Sequence, residues 1–382
     1  MPAVFDKDSR SDETFVTLPD IHSNTCRLDN QENANLNQFE LNQVSVELQS
    51  QPIVHNVSFS LLKGQIGCLL GPSGSGKTTL LRAIAGFQSI CAGNITIRGD
   101  TVSDNSFMLP AEKRRIGMMF QDLALFPHLN VADNIAFGLE NKKSESNKRV
   151  DELLTIVNMQ SLKNQYPHEL SGGQQQRVAL MRAMAPKPDL MLLDEPFSAQ
   201  DTELRVQLVQ EVRDILKEDG VTAILVTHDQ NEAFAIADSI GVLHEGRLSQ
   251  WDSAYNLYHT PANRFVADFV GEGVFICGNI IDNNTVQTEL GNVNGELSTD
   301  LPRGEQVDLL IRPDDIFHDD YSTFRGTVLK KSFRGADHLY TLRMPGGTNV
   351  MCLAPSHHDH QIGESIGVRL RLDHLVAFPS ND

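Results

Sequence analysis

Gln65-Ile-Gly-Cys-Leu-Leu70-Gly71-Pro-Ser-Gly-Ser-Gly76-Lys77-Thr78-Thr79-Leu-Leu-Arg-Ala-Ile-Ala-Gly86 is the stretch that decides the fold. Its first six residues form a nearly continuous apolar run, as expected of a strand buried on both faces. Thr79 onward reads as a helix that ends at Gly86. Between them lies the full GxxxxGK[ST] pattern. Glycines let the backbone turn so that several N–H groups face one concavity. The helix that follows offers its positive end to phosphate groups. Gly71, Pro72, Ser73, Gly74, Ser75, Gly76, Lys77, Thr78 and Thr79 are therefore candidate nucleotide-binding residues. Lys77 would reach the β- and γ-phosphates, and the Thr78 hydroxyl would ligate Mg²⁺. The pattern points to a bound nucleotide but not to its use.

Outward from this loop, buried strands recur at Leu190–Leu193 and Ala223–Val226, with amphipathic helical stretches such as Glu203–Lys217 between them. Such alternation predicts an α/β domain around a mostly parallel sheet. Upstream, Phe39, Leu41, Val44, Val46 and Leu48 alternate with polar residues, with one slip between Leu41 and Val44, and Asn56–Leu61 alternates again. Two such runs around a polar turn predict an antiparallel pair. Residues 1–36, rich in Asp, Asn, Ser, Thr and Gln, read as a disordered leader or an early start. After about Val270 the pattern changes to short β-type runs at Val307–Ile311, Gly326–Leu329, Leu339–Leu342 and Val368–Leu372, with Gly, Pro and Asp between them. That predicts a small all-β domain of barrel type.

The strand Leu190–Leu193 ends in Asp194-Glu195. Asp194 suits the surroundings of Mg²⁺, and Glu195 would orient or deprotonate an attacking water. His228, at the exit of Ala223–Val226, would point into the crevice where ligands of parallel sheets sit and could bond the γ-phosphate. Leu170-Ser171-Gly172-Gly173-Gln174 precedes a helical run with a hydroxyl at or near its cap. Exposed N–H groups and the helix dipole make this a second anion site. A second subunit could use it to close the open side of the nucleotide.

Composition narrows the partners. With 382 residues, two or three domains are expected at about 150 residues each. Hydrophobic residues at 40% and charged residues at 21% argue against a chain disordered throughout. The net charge of −18 disfavours nucleic acid and anionic membrane surfaces, which require basic patches. Cys26, Cys68, Cys91, Cys277 and Cys352 are scattered and form no framework. The start of the chain is not a signal peptide, and no run reaches the roughly 18 apolar residues of a membrane span.

These motifs in this order resemble the ATP-binding subunits of ABC transporters. The matching segments are the Gly71–Thr78 loop, Gln121 in Met-Met-Phe-Gln-Asp, Leu170–Gln174, Asp194-Glu195, Ser198-Ala-Gln-Asp201 and His228. The resemblance covers roughly residues 39–270 and implies a P-loop ATPase with an antiparallel β subdomain and a helical subdomain at about 122–185. It implies ATP and Mg²⁺ as ligands, with ATP held between two protomers, Ser171 and Gly173 of one facing the γ-phosphate held by the other. Glu195 would be the general base, Gln121 would touch Mg²⁺ or the water, and Asp201 would shape the dimer interface. The helical subdomain would dock on a membrane permease, itself served by a periplasmic substrate-binding protein. That places the chain peripherally, on the cytoplasmic face of the inner membrane.

Two positions depart from the family pattern: Leu48 falls where an aromatic usually stacks on adenine, and Gln200 where Leu is usual. Thr260–Gly271 and Ile311-Arg-Pro-Asp-Asp-Ile316 are similar to importer subunits with an appended C-terminal OB/TOBE-like barrel. The expected division is 1–36 leader, 37–270 ATPase and 271–382 regulatory barrel. Glu112–His128 looks most like ferric-iron import subunits; polyamine, sulfate, phosphonate and sugar importers carry close variants, and a non-transport ATPase is the remote alternative. His357-His-Asp-His360 reads as a solvated loop after Pro355, because hard Fe³⁺ prefers oxygen ligands and one short tract rarely supplies a full shell.

Overall fold

The computed structural model describes residues 37–139, 143–198, 202–297, 301–372 and 374–380. The expected leader at 1–36, and Gln200 and Asp201, lie outside them. The chain begins with β1 (Asn37–Leu48), β2 (Gln51–Leu62), β3 (Ile66–Leu70), α1 (Lys77–Ala85), β4 (Ala92–Ile97), β5 (Asp100–Ser103), β6 (Ile116–Met119) and α2 (Val131–Ala136). It continues through α3 (Lys143–Ile156), α4 (Gly172–Met184), β7 (Leu190–Asp194), α5 (Thr202–Glu218), β8 (Ala223–Thr227) and α6 (Gln230–Ile236). Then come β9 (Ser239–His244), β10 (Arg247–Asp252), α7 (Ala254–His259) and α8 (Arg264–Phe269).

β1 and β2 form the expected antiparallel pair, within a four-stranded sheet of order β2-β1-β4-β5. The slip between Leu41 and Val44 is a bulge: Leu41 pairs with Phe59 and Val44 with Val57, and Gln43 takes a left-handed φ of 50°. One extra residue re-aims the strand so that Val44 and Val46 stay in the core. The central sheet runs β10-β9-β3-β8-β7-β6, parallel except for β10. β3 is fully buried because both faces are covered. Cys68 and Leu70 face a core shared with Met181, Leu216 and Ile236 on the helical side, while Leu69 faces Leu41, Val46 and Leu80 under the antiparallel layer. Burying each such aliphatic side chain contributes about 1.5–3 kcal/mol.

Arg114 ties the two layers together. It is 2% exposed, and its guanidinium donates to the carbonyls of Ala83 (3.1 Å), Ile84 (2.8 Å), Val102 (3.1 Å) and Leu109 (2.7 Å) and to Ser103 Oγ (2.6 Å). It thereby satisfies the carbonyl end of α1, next to the left-handed Gly86 that closes the helix. Burial pulls its pKa down to about 10.

The remainder is β-structure: β11 (Val274–Asp282), β12 (Thr285–Thr288), β13 (Gly291–Asn294), β14 (Glu296–Leu297), β15 (Gln306–Ile311) and β16 (Ile316–His318), then β17 (Arg325–Phe333), β18 (Asp337–Arg343), β19 (Asn349–Pro355), β20 (Ser365–Leu370), β21 (His374–Leu375) and β22 (Ala377–Pro379). The barrel read from the sequence is present, closed in the order β16-β19-β18-β17-β20. It is not alone: β13-β12-β11-β15-β22 form an open sheet, which the strand pattern does not distinguish. Sheet and barrel share one core, in which Ile276 and Leu309 meet Val328 and Tyr340.

Arg312 joins this region to α7. Its Nη1 donates to the carbonyls of Gly271 (2.9 Å) and Glu272 (3.1 Å), its Nη2 to that of Tyr258 (3.3 Å), and its guanidinium lies 4.4 Å above the Tyr258 ring. Tyr258 in turn donates to Asp314 Oδ1 at 2.7 Å. Among the described residues no helix is long and apolar enough to cross a membrane.

Replacing Arg114 with Met keeps volume but strands several buried carbonyls. The variant should lose about 3 kcal/mol of stability, read as a lower urea midpoint; an unchanged midpoint would show that the two layers hold without this group.

Candidate nucleotide site

Parallel pairing sets the geometry of the site. Leu70 of β3 lies beside Thr227 of β8, Val226 beside Asp194 of β7, and Leu193 beside Met119 of β6. The segments that leave these strands therefore emerge at one edge: Gly71, His228, Glu195 and Gln121. The carboxyl edge of an open parallel sheet is where ligands of such folds bind.

The loop Gly71–Gly76 is shaped by close approaches. A Cβ on Gly71 would sit 2.2 Å from the Leu243 carbonyl oxygen, so no side chain fits there. Gly74 and Gly76 take left-handed φ values of 82° and 99°, which glycine adopts without cost. Gly76 caps the nine-residue α1 with no side-chain acceptor, leaving first-turn N–H groups available to an anion. Pro72 is half-buried, while Ser73 and Gly74 are exposed. Ser75 is 3% exposed and its Oγ has no hydrogen-bond partner in the protein, an unmet polar atom facing the loop. Lys77 is 6% exposed, and its Nζ donates to the carbonyls of Gly71 (2.8 Å) and Pro72 (3.0 Å). Burial pulls the Lys77 pKa down, while Glu195 and Asp194 counter that pull.

Thr78 Oγ1 donates to Asp194 Oδ1 at 3.4 Å, a loose bond for a hydroxyl and a carboxylate. These are oxygen donors, the kind Mg²⁺ takes. Burial, and then the neighbouring charge of Glu195, hold the Asp194 carboxyl above its usual range, against Arg82, Thr78 and Lys77. Arg82 lies one turn into α1 and is a group the sequence reading passes over.

Glu195 has a left-handed φ of 44°, an uncommon and strained conformation for a residue with a side chain. Its N–H donates to the Val226 carbonyl at 3.0 Å, and its carbonyl accepts from Ser198 Oγ at 3.0 Å. The carboxylate Oε1 lies 3.4 Å from His228 Nδ1, so these two groups do meet. The His228 side chain is 57% exposed and stands on a buried support. Thr227 Oγ1 donates to Glu232 Oε2 at 2.5 Å and accepts from the Asp229 N–H at 3.0 Å. Asp229 caps α6, accepting from the Asn231 and Glu232 N–H groups, and pairs with Arg205 of α5 at 3.3 Å. Thr227, Glu232 and Arg205 are absent from the sequence-based set. Asp229-Gln-Asn-Glu232 carries a cap signature that points to Glu232.

Gln121 is exposed in the turn after β6, and no described hydrogen bond joins it to Asp194 or Glu195. Ser171 is the cap of α4: its Oγ accepts from the Gln174 N–H at 3.3 Å and its N–H donates to Gln174 Oε1 at 2.9 Å. The N–H groups of Gly172 and Gly173 are left outside this reciprocal pair. None of the hydrogen bonds described for Ser171–Gln174 reaches residues 71–79. Leu48 ends β1, paired with Gln51 and 38% exposed, an apolar side chain at the hairpin tip.

Comparison with known proteins gives the family. The ABC transporter family matches residues 54–198 and the TOBE domain matches residues 309–378. The chain belongs to the ABC transporter family as an ATP-binding ATPase subunit with a C-terminal TOBE domain. It is 45% identical over 313 residues, 80% of this chain and 89% of the other, to the Fe(3+) ions import ATP-binding protein FbpC 2 of Pectobacterium atrosepticum. It is 39% identical over 345 residues, 85% and 89% of the two chains, to the spermidine/putrescine import ATP-binding protein PotA of Trichodesmium erythraeum. Among solved structures, cbiO1 from Clostridium perfringens, part of the ABC transporter complex cbiONQ, shares the fold: TM-score 0.53 at 24% identity, over 62% of this chain and 93% of that one.

The raised Asp194 pKa has a definite sign. The folded apo protein carries a cost above that pKa, and the cost vanishes below the carboxyl's unfolded value. Asp194→Asn should therefore raise the apo Tm at neutral pH by about 2 °C, and the gain should shrink toward pH 4. A lowered Tm at neutral pH would contradict the assigned strain.

Proposed function

We propose that this chain is the ATP-hydrolysing subunit of a bacterial importer, that two copies close on ATP, and that the cargo of the complex is ferric iron. The observation that carries the ATPase reading is the convergence of Gly71–Thr78, Asp194, Glu195 and His228 on one sheet edge. Among the described residues the Ser171–Gln174 helix start makes no hydrogen bond to that edge, which supports a second copy supplying it.

Gly71–Thr79 would wrap the phosphates with backbone N–H groups, and Lys77 would turn its Nζ from the loop carbonyls to the phosphate oxygens. Thr78, Asp194 and Gln121 would hold Mg²⁺. When bound, that ion would neutralise charge developing on the transferred phosphoryl group. Glu195 would take a proton from the attacking water as it attacks the γ-phosphorus, ADP leaving with the bond's electron pair. His228, 3.4 Å from the Glu195 carboxylate, would hold that carboxylate and the γ-phosphate in line. The partner copy's Ser171, Gly172, Gly173 and Gln174 would close the open side, and Asp201 would sit at the interface. Leu48 would offer adenine contact area without a π-face.

Residues 37–270 would act as the ATPase domain, with 122–185 docking on a permease at the cytoplasmic face of the inner membrane, and 271–382 as a regulatory domain. A periplasmic binding protein would deliver cargo to the permease. The net charge of −18 supports no nucleic-acid partner. Ferric iron rests on the name of the relative at 45% identity; polyamine is the second reading, because the spermidine/putrescine relative stands at 39%.

Glu195→Gln should keep ATP binding and lose at least about 100-fold in turnover; wild-type hydrolysis would remove Glu195 as the base. Lys77→Ala and Ser171→Arg should each be inactive alone. Mixed, they should recover about a quarter of wild-type activity, since half the dimers are mixed and each keeps one intact site. No recovery on mixing would sink the shared-site arrangement. For cargo, a strain lacking this gene should lose uptake of labelled ferric iron while keeping uptake of labelled spermidine; the reverse would install the polyamine reading.

A further inference from the structure

The loop His357–His360 is not simply solvated. β19 ends at Pro355, and the following turn brings His358 and His360 back against His318, forty residues away at the end of β16. His318 Nε2 lies 3.0 Å from His360 Nε2 and 3.2 Å from Asp320 Oδ1. The ligand atoms of His318, His358 and His360 all lie within 4.8 Å of one another. The His318 side chain is 4% exposed and that of His360 17%, so the trio is set into the barrel rather than spread over its surface.

Its supports are those a metal-binding histidine needs. Glu364 Oε1 accepts from His360 Nδ1 at 2.9 Å, which places the His360 proton on Nδ1 and leaves the Nε2 lone pair aimed at the cluster. Glu364 is itself fixed by the Gln361 N–H at 2.8 Å. Tyr340, fully buried, donates to the His358 carbonyl at 2.6 Å and accepts from the His360 N–H at 3.1 Å, pinning the loop on both sides of Asp359. Asp359 is drawn away to Lys331 and His338. A single shared proton would satisfy His318 and His360 as a hydrogen-bonded pair, but it would not account for a third imidazole nitrogen within reach or for the carboxylate at Asp320.

We propose that His318, His358 and His360 bind a first-row divalent transition-metal ion, with Asp320 beside them for a fourth position. Three imidazole nitrogens and one carboxylate suit Zn²⁺, Co²⁺, Ni²⁺ or Fe²⁺ and disfavour the hard cations Mg²⁺, Ca²⁺ and Fe³⁺. The site uses no residue of the nucleotide edge and stands whether or not the cargo is iron.

The test uses the full chain, stripped with a chelator, without nucleotide and in excess Mg²⁺ to occupy hard-cation sites. Equilibrium dialysis should find one tight Zn²⁺ per chain, and Co²⁺ titration should give the visible absorption of nitrogen-rich four-coordination. His318→Gln and the double variant His358→Ala/His360→Ala should abolish both signals while keeping the far-ultraviolet circular dichroism and the Mg²⁺-dependent ATPase rate of the parent measured without transition metal. Glu364→Gln, which keeps all three ligands, should weaken Zn²⁺ binding about tenfold or more. His357→Ala, whose exposed ring lies outside the trio, should bind as the parent does. Absence of a tight equivalent in the parent, or undiminished binding by a folded double variant, would overturn the proposal.

Discussion

Everything at the nucleotide edge depends on the register of three parallel strands. A slip of one residue between β3 and β8, or between β8 and β7, would carry a loop about 3.3 Å along the strand direction. The bond from the Glu195 N–H to the Val226 carbonyl would then be lost, and with it the approach of Glu195 to His228. Strands that are apolar on both faces do not fix register by hydrophobic pattern alone. Glycine adds a constraint by exclusion on β3 and on the flanking β9 and β6, while β7 and β8 carry none. A Cβ on Gly67 would come within 2.9 Å of Trp251, one on Gly241 within 2.6 Å of the same ring, and one on Gly117 within 2.4 Å of the Ala183 carbonyl. Each marks a place where a neighbour crosses the strand closely, so a shift of β3, β6 or β9 would drive a side chain into that neighbour.

The same edge gathers acidic groups in a chain that is already strongly negative. Asp194 and Glu195 are adjacent, Asp194 is held above its usual carboxyl range, and Glu195 is in a strained backbone conformation. Lys77 and Arg82 offset only part of this. A site with such unresolved charge is poised for a ligand that brings its own cation, and backbone N–H groups, rather than bulk positive charge, must hold the anion.

How much of this could be read from the sequence follows from how each feature is encoded. The phosphate loop, the carboxylate pair and the capped Ser171 helix are contiguous strings, and local spacing is enough to find them. Even the bulge in β1 shows as a break in alternation at Gln43. The groups that were missed are assembled by tertiary structure. Arg114 is one of three consecutive basic residues, Lys113-Arg114-Arg115, and its five acceptors come from α1, β5 and the connection before it. Glu232 lies behind His228 only because α6 folds back under Thr227. His318 joins the His358–His360 loop through barrel closure, which no short-range period records. Short alternating strands also do not say which neighbour they pair with, so the open sheet beside the barrel was hidden in a correct strand pattern.

The hydrogen bonds by which Arg312 connects the two halves of the chain go to main-chain oxygens, those of Tyr258, Gly271 and Glu272. Main-chain oxygens are the same whatever side chain stands above them. The residue at 272 can therefore drift without breaking the joint. Gly271 cannot, because it holds a left-handed φ of 91° and a Cβ there would sit 2.6 Å from the Tyr258 ring. Nor can the arginine become lysine, whose single ammonium cannot span acceptors set out for a planar fork. A joint of this kind is in effect a standard fitting: it would let an unrelated β-region be exchanged onto the same ATPase provided the newcomer kept this guanidinium, an acidic partner for Arg264 where Asp308 stands, and an apolar seat for Ala267.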